Sequence, residues 1–187
     1  MEIDIVNSLK VLINGGVILY PTDTIWGLGC DATNAIAIDR IFKIKNRKDK
    51  ESMLILLDRI EEVSKYVSEI PAEAIKLIGS SVSPTTIIYP SAQNLPQNLL
   101  PDDSSIGIRV TADPFCSELI RRFGRPLVST SANISGSPNP GNFSEVEDDI
   151  IMEADYVVRW RQNDYTRNVP STIYKVDEQG EIIIIRK

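Results

Sequence analysis

The chain has 187 residues, enough for one domain with a substantial buried core, and its ordinary mix of apolar, charged and aromatic residues excludes disordered and fibrous classes. Its net charge of −6 argues against a surface built throughout to grip nucleic acid, and the lack of histidine removes Ser-His-Asp triads, Cys-His pairs and His-rich zinc sites. Chemistry must then use carboxylates, Lys, Arg, hydroxyls, amides or a substrate's own groups. The opening Met1-Glu-Ile-Asp-Ile-Val is acidic where a signal peptide is basic, and no apolar run approaches the roughly 20 residues that span a bilayer. Cys30 and Cys116 are too far apart in sequence to give a disulfide framework or a metal-ligand spacing, so reduced thiols, a cytoplasmic location and no membrane association are expected.

Taken in chain order, Ile5, Leu9, Leu12 and Ile13 keep helical spacing up to Gly15-Gly16, and the apolar run 17–20, closed by Pro21, predicts a strand. A loop rich in Thr, Asp and Gly is expected next, then a helix over 34–45 through Ala37, Ile41 and Ile44, and a buried strand over 53–57. Asp58 is placed to cap a short helix, and Pro71 suits the first turn of another. Strands over 86–89 and 106–110, a helix over 114–123 with Phe115, Leu119 and Phe123 on one face, and a strand over 127–129 follow. The runs 172–176 and 182–185 flank Asp177-Glu-Gln-Gly180 and predict a hairpin with a four-residue turn. Strands that alternate with helices early and pair antiparallel late indicate an α/β architecture with a mixed sheet, as one domain over 1–187 without repeats or linkers.

Several motifs bear on chemistry. Gly27-Leu-Gly29-Cys-Asp-Ala32 fits a loose dinucleotide fingerprint, but six residues separate its first glycine from the preceding strand, where a Rossmann turn needs none. No P-loop sequence occurs, and the sequons at Asn133 and Asn142 would not meet the glycosylation machinery in a chain without a signal peptide. Lys43, Lys45, Arg47, Lys48 and Lys50 crowd one stretch at the expected end of a helix, where the dipole favours cations. If the segment is extended, Lys45 and Arg47 point the same way, and a guanidinium fork beside a compact ammonium suits a triphosphate. Thr130-Ser-Ala-Asn-Ile-Ser-Gly136 reads equally as a polar turn or as a set of hydroxyl and amide donors at a strand end, where open α/β sheets bind ligands.

Tyr20-Pro-Thr-Asp-Thr-Ile-Trp-Gly-Leu-Gly29, Lys45-Asn-Arg47 and Thr130-Ser-Ala-Asn-Ile-Ser-Gly136 occur in that order, followed by Pro170-Ser-Thr-Ile173 and Ile185-Arg186. The set resembles the YrdC-like threonylcarbamoyl-AMP synthase family, with its K-x-R…S-x-N signature, over nearly the whole chain. The resemblance implies a twisted mixed parallel/antiparallel sheet with helices around a large concave basic pocket. It implies that Lys45, Arg47, Ser131, Asn133 and Arg186 hold ATP, with Lys45 and Arg47 in the catalytic role. Thr24, Ser129 and Ser171 would hold L-threonine, with Trp26 as a wall where Tyr or Phe is usual; Thr86 and Arg109 fall at matching places. The implied reaction makes a carbamate from threonine and bicarbonate or CO2. Its oxygen attacks the α-phosphate of ATP, with Mg²⁺, and releases pyrophosphate. A separate tRNA threonylcarbamoyl-transferase complex would then modify the adenosine beside the anticodon. No protein nucleophile is needed, which accords with the missing histidines.

The chain departs from the family pattern in places. Lys48 and Ser52 replace prolines, Glu51 stands where Lys or Asn is common near ATP, and glycines usual before Pro84 and after Arg186 are missing. Larger relatives carry a C-terminal domain that closes over the pocket, so a more open pocket is expected in a chain ending at Lys187. Two other readings compete. Carbamoyl-adenylate formation in hydrogenase maturation proteins uses the same domain but with additional Cys-rich regions. A tRNA or double-stranded RNA-binding module without synthase activity would use the basic pocket alone, and weak RNA contact is compatible with catalysis.

Overall fold

A computed structural model describes residues 1–46, 53–177 and 179–187. The early elements run α1 (Glu2–Ile13), β1 (Ile18–Tyr20), β2 (Gly27–Gly29), α2 (Ala35–Ile44) and β3 (Leu54–Leu57). After them come α3 (Ala72–Ser80), β4 (Thr85–Tyr89), β5 (Ile106–Val110), α4 (Pro114–Phe123) and β6 (Leu127–Ser131). The chain closes with α5 (Asp148–Glu153), β7 (Tyr156–Val157), β8 (Thr172–Val176) and β9 (Ile182–Arg186). The helices begin where the sequence supplies caps. Asn34 accepts from the amides of Ile36 and Ala37 ahead of α2, and Asp113 accepts from those of Phe115 and Cys116 ahead of α4. Gly124 closes α4 at φ +71°, a conformation that glycine adopts without a Cβ penalty.

Among the described residues, nine strands lie in the order β7-β1-β2-β6-β3-β5-β4-β8-β9. Parallel pairs (β1 with β7, β3 with β5, β4 with β8) are interspersed among antiparallel ones, instead of following them in sequence. Alternation along the strands separates two cores. Leu19, Ile55, Leu57, Ile87, Ile108 and Val128 point to one face, where Ile38 and Ile41 of α2 pack. Ile18, Tyr20, Leu56 and Leu127 point to the other, against Ile5 and Leu12 of α1 and Phe115, Leu119 and Phe123 of α4.

Four expectations are corrected. The Gly-rich stretch after Pro21 is not all loop: it holds β2, whose glycines serve close packing, since a Cβ on Gly29 would lie 2.6 Å from Tyr20 Cε1 and 2.8 Å from the Val128 carbonyl oxygen. Asp58 caps no helix; a 3-10 turn over Ile60–Lys65 starts from Arg59 without a side-chain cap. β6 continues two residues beyond Ser129, while α5 and β7 were not expected. The last hairpin closes over residues 177–181, five rather than four, with Asp177 Oδ1 accepting from the amides of Gln179 and Glu181 at 2.9 Å each. No helix among the described residues is long and apolar enough to cross a membrane.

Candidate active site

Register places one set of side chains on the side of the sheet that α1 and α4 partly cover. Leu56 pairs with Arg109, Leu127 with Leu56 and Ser129 with Leu54, so all of these share a side. Thr86 pairs with Ile173, and Ile173 with Arg186, on the same side. Past Leu56 and Leu127 this face turns polar, and a cleft of about 230 Å³ opens over it. The loop between β1 and β2 forms one wall with Thr22, Thr24 and Trp26; β6 and β5 give Ser129, Ser131 and Arg109; Asn139, Pro170, Ser171 and Arg186 complete the lining.

Among the described residues, the positive charge in the cleft comes from two guanidiniums. Arg109 is 3% exposed; its Nη2 lies 3.3 Å from Asp23 Oδ1, and its buried Nε meets no hydrogen-bond acceptor among the described residues. Arg186 donates to the Ser171 carbonyl at 3.0 Å. Burial, and then the neighbouring Arg109 charge, hold the Arg186 guanidinium below its ordinary pKa. Two cations facing one partly dry space, one with a donor to spare, favour an incoming anion with planar, paired oxygens. Hydroxyls surround them. Ser129 and Ser171 are buried, and Thr86 Oγ1 braces Ser171 Oγ at 2.8 Å from behind. Trp26 is held by the tilted ring of Phe143, 4.8 Å between centroids.

The two walls are shaped locally. The Thr22 hydroxyl donates to the Ile25 carbonyl at 2.8 Å, accepts from the Thr24 amide at 3.0 Å and lies 2.9 Å from Thr24 Oγ1, so the tight loop turns both threonines into the cleft. Asp23, between them, lines a second cleft with Asp113 and Pro84 and meets Arg109 from behind.

Thr24, Trp26, Ser129, Ser131, Ser171, Arg109 and Arg186 are thus brought together as expected positions, with Thr86 behind them. Lys45 and Asn133 do not line the cleft. Lys45 is not in an extended segment: it ends α2 in the right-handed helical region, and Asn46 follows at φ +48°. Its buried ammonium donates to the carbonyls of Ser131 at 2.5 Å and Asn133 at 2.7 Å and lies 3.4 Å from Asn133 Oδ1. The Asn133 amide donates to the carbonyls of Ile134 at 3.0 Å and Ser137 at 2.7 Å. Both side chains therefore fasten the exit of β6, the segment that presents Ser131. Arg47 and Glu51, with Lys48, Lys50 and Ser52, lie outside the described residues. Sequence reasoning missed Thr22, Asn139 and Pro170. The Thr-x-Thr alternation could have found Thr22 and adjacency to Ser171 could have found Pro170; Asn139 carried no signal.

The family model Sua5_yciO_yrdC, described as "Telomere recombination", matches residues 10–187. A relative from Pseudoalteromonas translucida named threonylcarbamoyl-AMP synthase is 36% identical over 154 residues, which cover 81% of this chain and 82% of the relative. Among solved structures, P. abyssi Sua5 complexed with L-threonine superposes with a TM-score of 0.86 at 25% identity. That match covers 97% of this chain and 53% of the Sua5, so the chain spans about half the length of that relative. E. coli YciO superposes with a TM-score of 0.83 at 26% identity, covering 98% of this chain and 88% of YciO.

Proposed function

Because the chain belongs to the Sua5/YciO/YrdC family, we propose that it is a threonylcarbamoyl-AMP synthase, forming threonylcarbamoyl-AMP and pyrophosphate from L-threonine, bicarbonate and ATP. The observation that carries this reading is the cleft itself. A buried guanidinium with a free donor, a second guanidinium and a ring of hydroxyls offer what an amino acid carboxylate and a nucleotide phosphate require. Curated relatives carrying that name over four-fifths of the chain support the assignment.

Threonine occupies the wall of Thr24, Trp26, Ser129 and Ser171, its carboxylate facing Arg109. ATP lies toward Ser131 and Arg186, with Lys45 and Asn133 holding the β6 exit in place beneath it. The threonine amine attacks the carbon of CO2 or bicarbonate and yields a carbamate, with loss of a proton, or of water from bicarbonate. One carbamate oxygen then forms a bond to the α-phosphorus as the bond to pyrophosphate breaks. The protein's part is to align two anions that repel one another and to neutralise phosphate charge, the two effects that supply most of such a rate enhancement. Mg²⁺ enters with the ATP, held mainly by phosphates and water, as that ion usually is. The product passes to a separate tRNA threonylcarbamoyl-transferase complex, and the work is placed in the cytoplasm.

The test is pyrophosphate release from Mg·ATP with threonine and bicarbonate each supplied or withheld. Release that needs both is the expected result. Release indifferent to threonine would contradict the reading, and so would no release by folded protein in any mixture.

A further inference from the structure

We propose that Arg161 is a positioning residue that sets the threonine-binding wall of the cleft, a role resting on the function proposed above but testable apart from it. Arg161 stands at φ +67°. Among the described residues, the other non-glycine positions at positive φ are Asn46, Ser91, Asn94 and Ser104, all small and polar, of the kind turns commonly use. A long side chain in the left-handed region is strained, and such a residue persists where its surroundings hold it there.

What holds it is a three-way junction. Arg161 Nη1 donates to the Thr22 carbonyl at 3.1 Å and to Asp113 Oδ2 at 3.0 Å, while Nε faces Asp164 Oδ2 at 3.6 Å. Asp113 is buried, and its other oxygen caps α4 through the amides of Phe115 and Cys116. One guanidinium therefore fastens the Thr22 peptide to the start of a helix seated in the core. The Thr22 side chain carries that constraint forward, since its hydroxyl meets both the amide and the hydroxyl of Thr24. Arg161 itself lies in the connection from β7 to β8 that also carries Pro170 and Ser171 of the cleft lining. Arg161 is not among the described residues that line the cleft; its guanidinium reaches the lining at the Thr22 backbone, so it acts through Thr24 and not on substrate.

The geometry supplies an informative substitution. Arg161→Gly removes the clamp while relieving the backbone strain, because glycine adopts positive φ freely. Arg161→Lys keeps a charge for Asp113 but loses the second nitrogen, Nε, that faces Asp164 while Nη1 holds Thr22 and Asp113. Both variants, in the full chain, are compared with the parent by melting temperature, by amide hydrogen exchange over residues 22–26 without substrate, and by the KM for threonine and for ATP. Arg161→Gly is expected to melt cooperatively but below the parent, because buried Asp113 loses its partner, to exchange the Thr24 amide at least several-fold faster, and to raise the threonine KM on the order of tenfold through misplacement of the wall. The ATP KM is expected to stay within about twofold, with Arg161→Lys intermediate in both exchange and threonine KM. Unchanged exchange over 22–26 in Arg161→Gly overturns the proposal whether or not the parent makes product. Equal rises in both KM values also overturn it. Faster exchange in a protein whose parent shows no threonine dependence would leave the clamp standing and remove the synthase reading instead.

Discussion

One side of the sheet serves two purposes, and the change occurs within single strands. On β6, Leu127 is buried beneath α4, whereas Ser129 and Ser131, two and four residues on, line the cleft. On β3 and β5, Leu56 packs into the core while its paired neighbour Arg109 faces the cleft. Backbone geometry is the same in both halves; what differs is whether a helix supplies apolar contacts above. Where α1 and α4 do so, the strand carries Leu, Ile and Tyr, and burial stabilises each side chain by about 1.5–3 kcal/mol. Where they do not, the same pleat presents hydroxyls and guanidiniums to a ligand. A fold of this kind makes its site by leaving one part of a sheet face uncovered, and its stability and its activity should then be separable by substitution.

The comparison can be sharpened from the covered half first. Phe115→Ala should cost about 3–5 kcal/mol of stability, the usual result of emptying a buried aromatic site, measured by urea denaturation, with threonine and ATP KM unchanged at temperatures where the variant is folded. A KM shift comparable to the stability loss would mean that the halves are not independent. Around the open half, Lys45→Ala should lower both stability and kcat/KM, because the carbonyls of Ser131 and Asn133 lose their shared cation and each buried acceptor left unpaired costs about 1–3 kcal/mol. Steady-state pyrophosphate release reads this, and near-normal turnover would remove Lys45 from the machinery. Ser131→Ala should weaken ATP binding by about 1–2 kcal/mol, the weight of a neutral hydrogen bond; an unchanged ATP KM would take Ser131 out of the site.

A smaller effect concerns pH. Burial raises the pKa of Cys30, Cys116 and Tyr20 above their ordinary values and pushes Tyr89 up to about 12. Groups raised in the folded state contribute stability that is complete below their unfolded pKa values, about 8.5 for thiols and about 10 for phenols, and is lost as pH rises beyond them. The denaturation midpoint should therefore be flat on this account between pH 6 and 8 and fall above about pH 9. The buried thiols should not react with Ellman's reagent until the chain unfolds. Rapid labelling of native protein at pH 8 would contradict this.

Much of the fold was legible because several local signals agreed. α4 has an Asp cap, a proline at its start, apolar residues at 115, 119 and 123 and a closing glycine, all consistent with one helix. β2 was not legible: three residues framed by glycines show no alternation, and those glycines answer to Tyr20 and the Val128 carbonyl, which only the folded sheet brings near. α5 and β7, six and two residues long, are too short for a periodic pattern. In the site, the motifs that carry the family resemblance pointed to residues that the fold gathers along one cleft, and hydroxyls and cations at strand ends are visible in sequence. They did not reveal direction. Lys45 and Asn133 turn toward the chain's own carbonyls, and that choice depends on how α2 and the exit of β6 meet in space. Arg161 was invisible for the same reason, its strain and its partners being tertiary.

The most direct measurement is pyrophosphate release by Arg109→Met, set beside its melting temperature. Methionine keeps an unbranched apolar stem and removes a buried guanidinium whose Nε meets no acceptor among the described residues. The expected result is a cooperative melt with threonine-dependent turnover reduced on the order of 10² or more and a raised threonine KM. Parent-like turnover and threonine KM in a folded Arg109→Met protein would contradict the assignment of the uncovered half of the sheet as the substrate site.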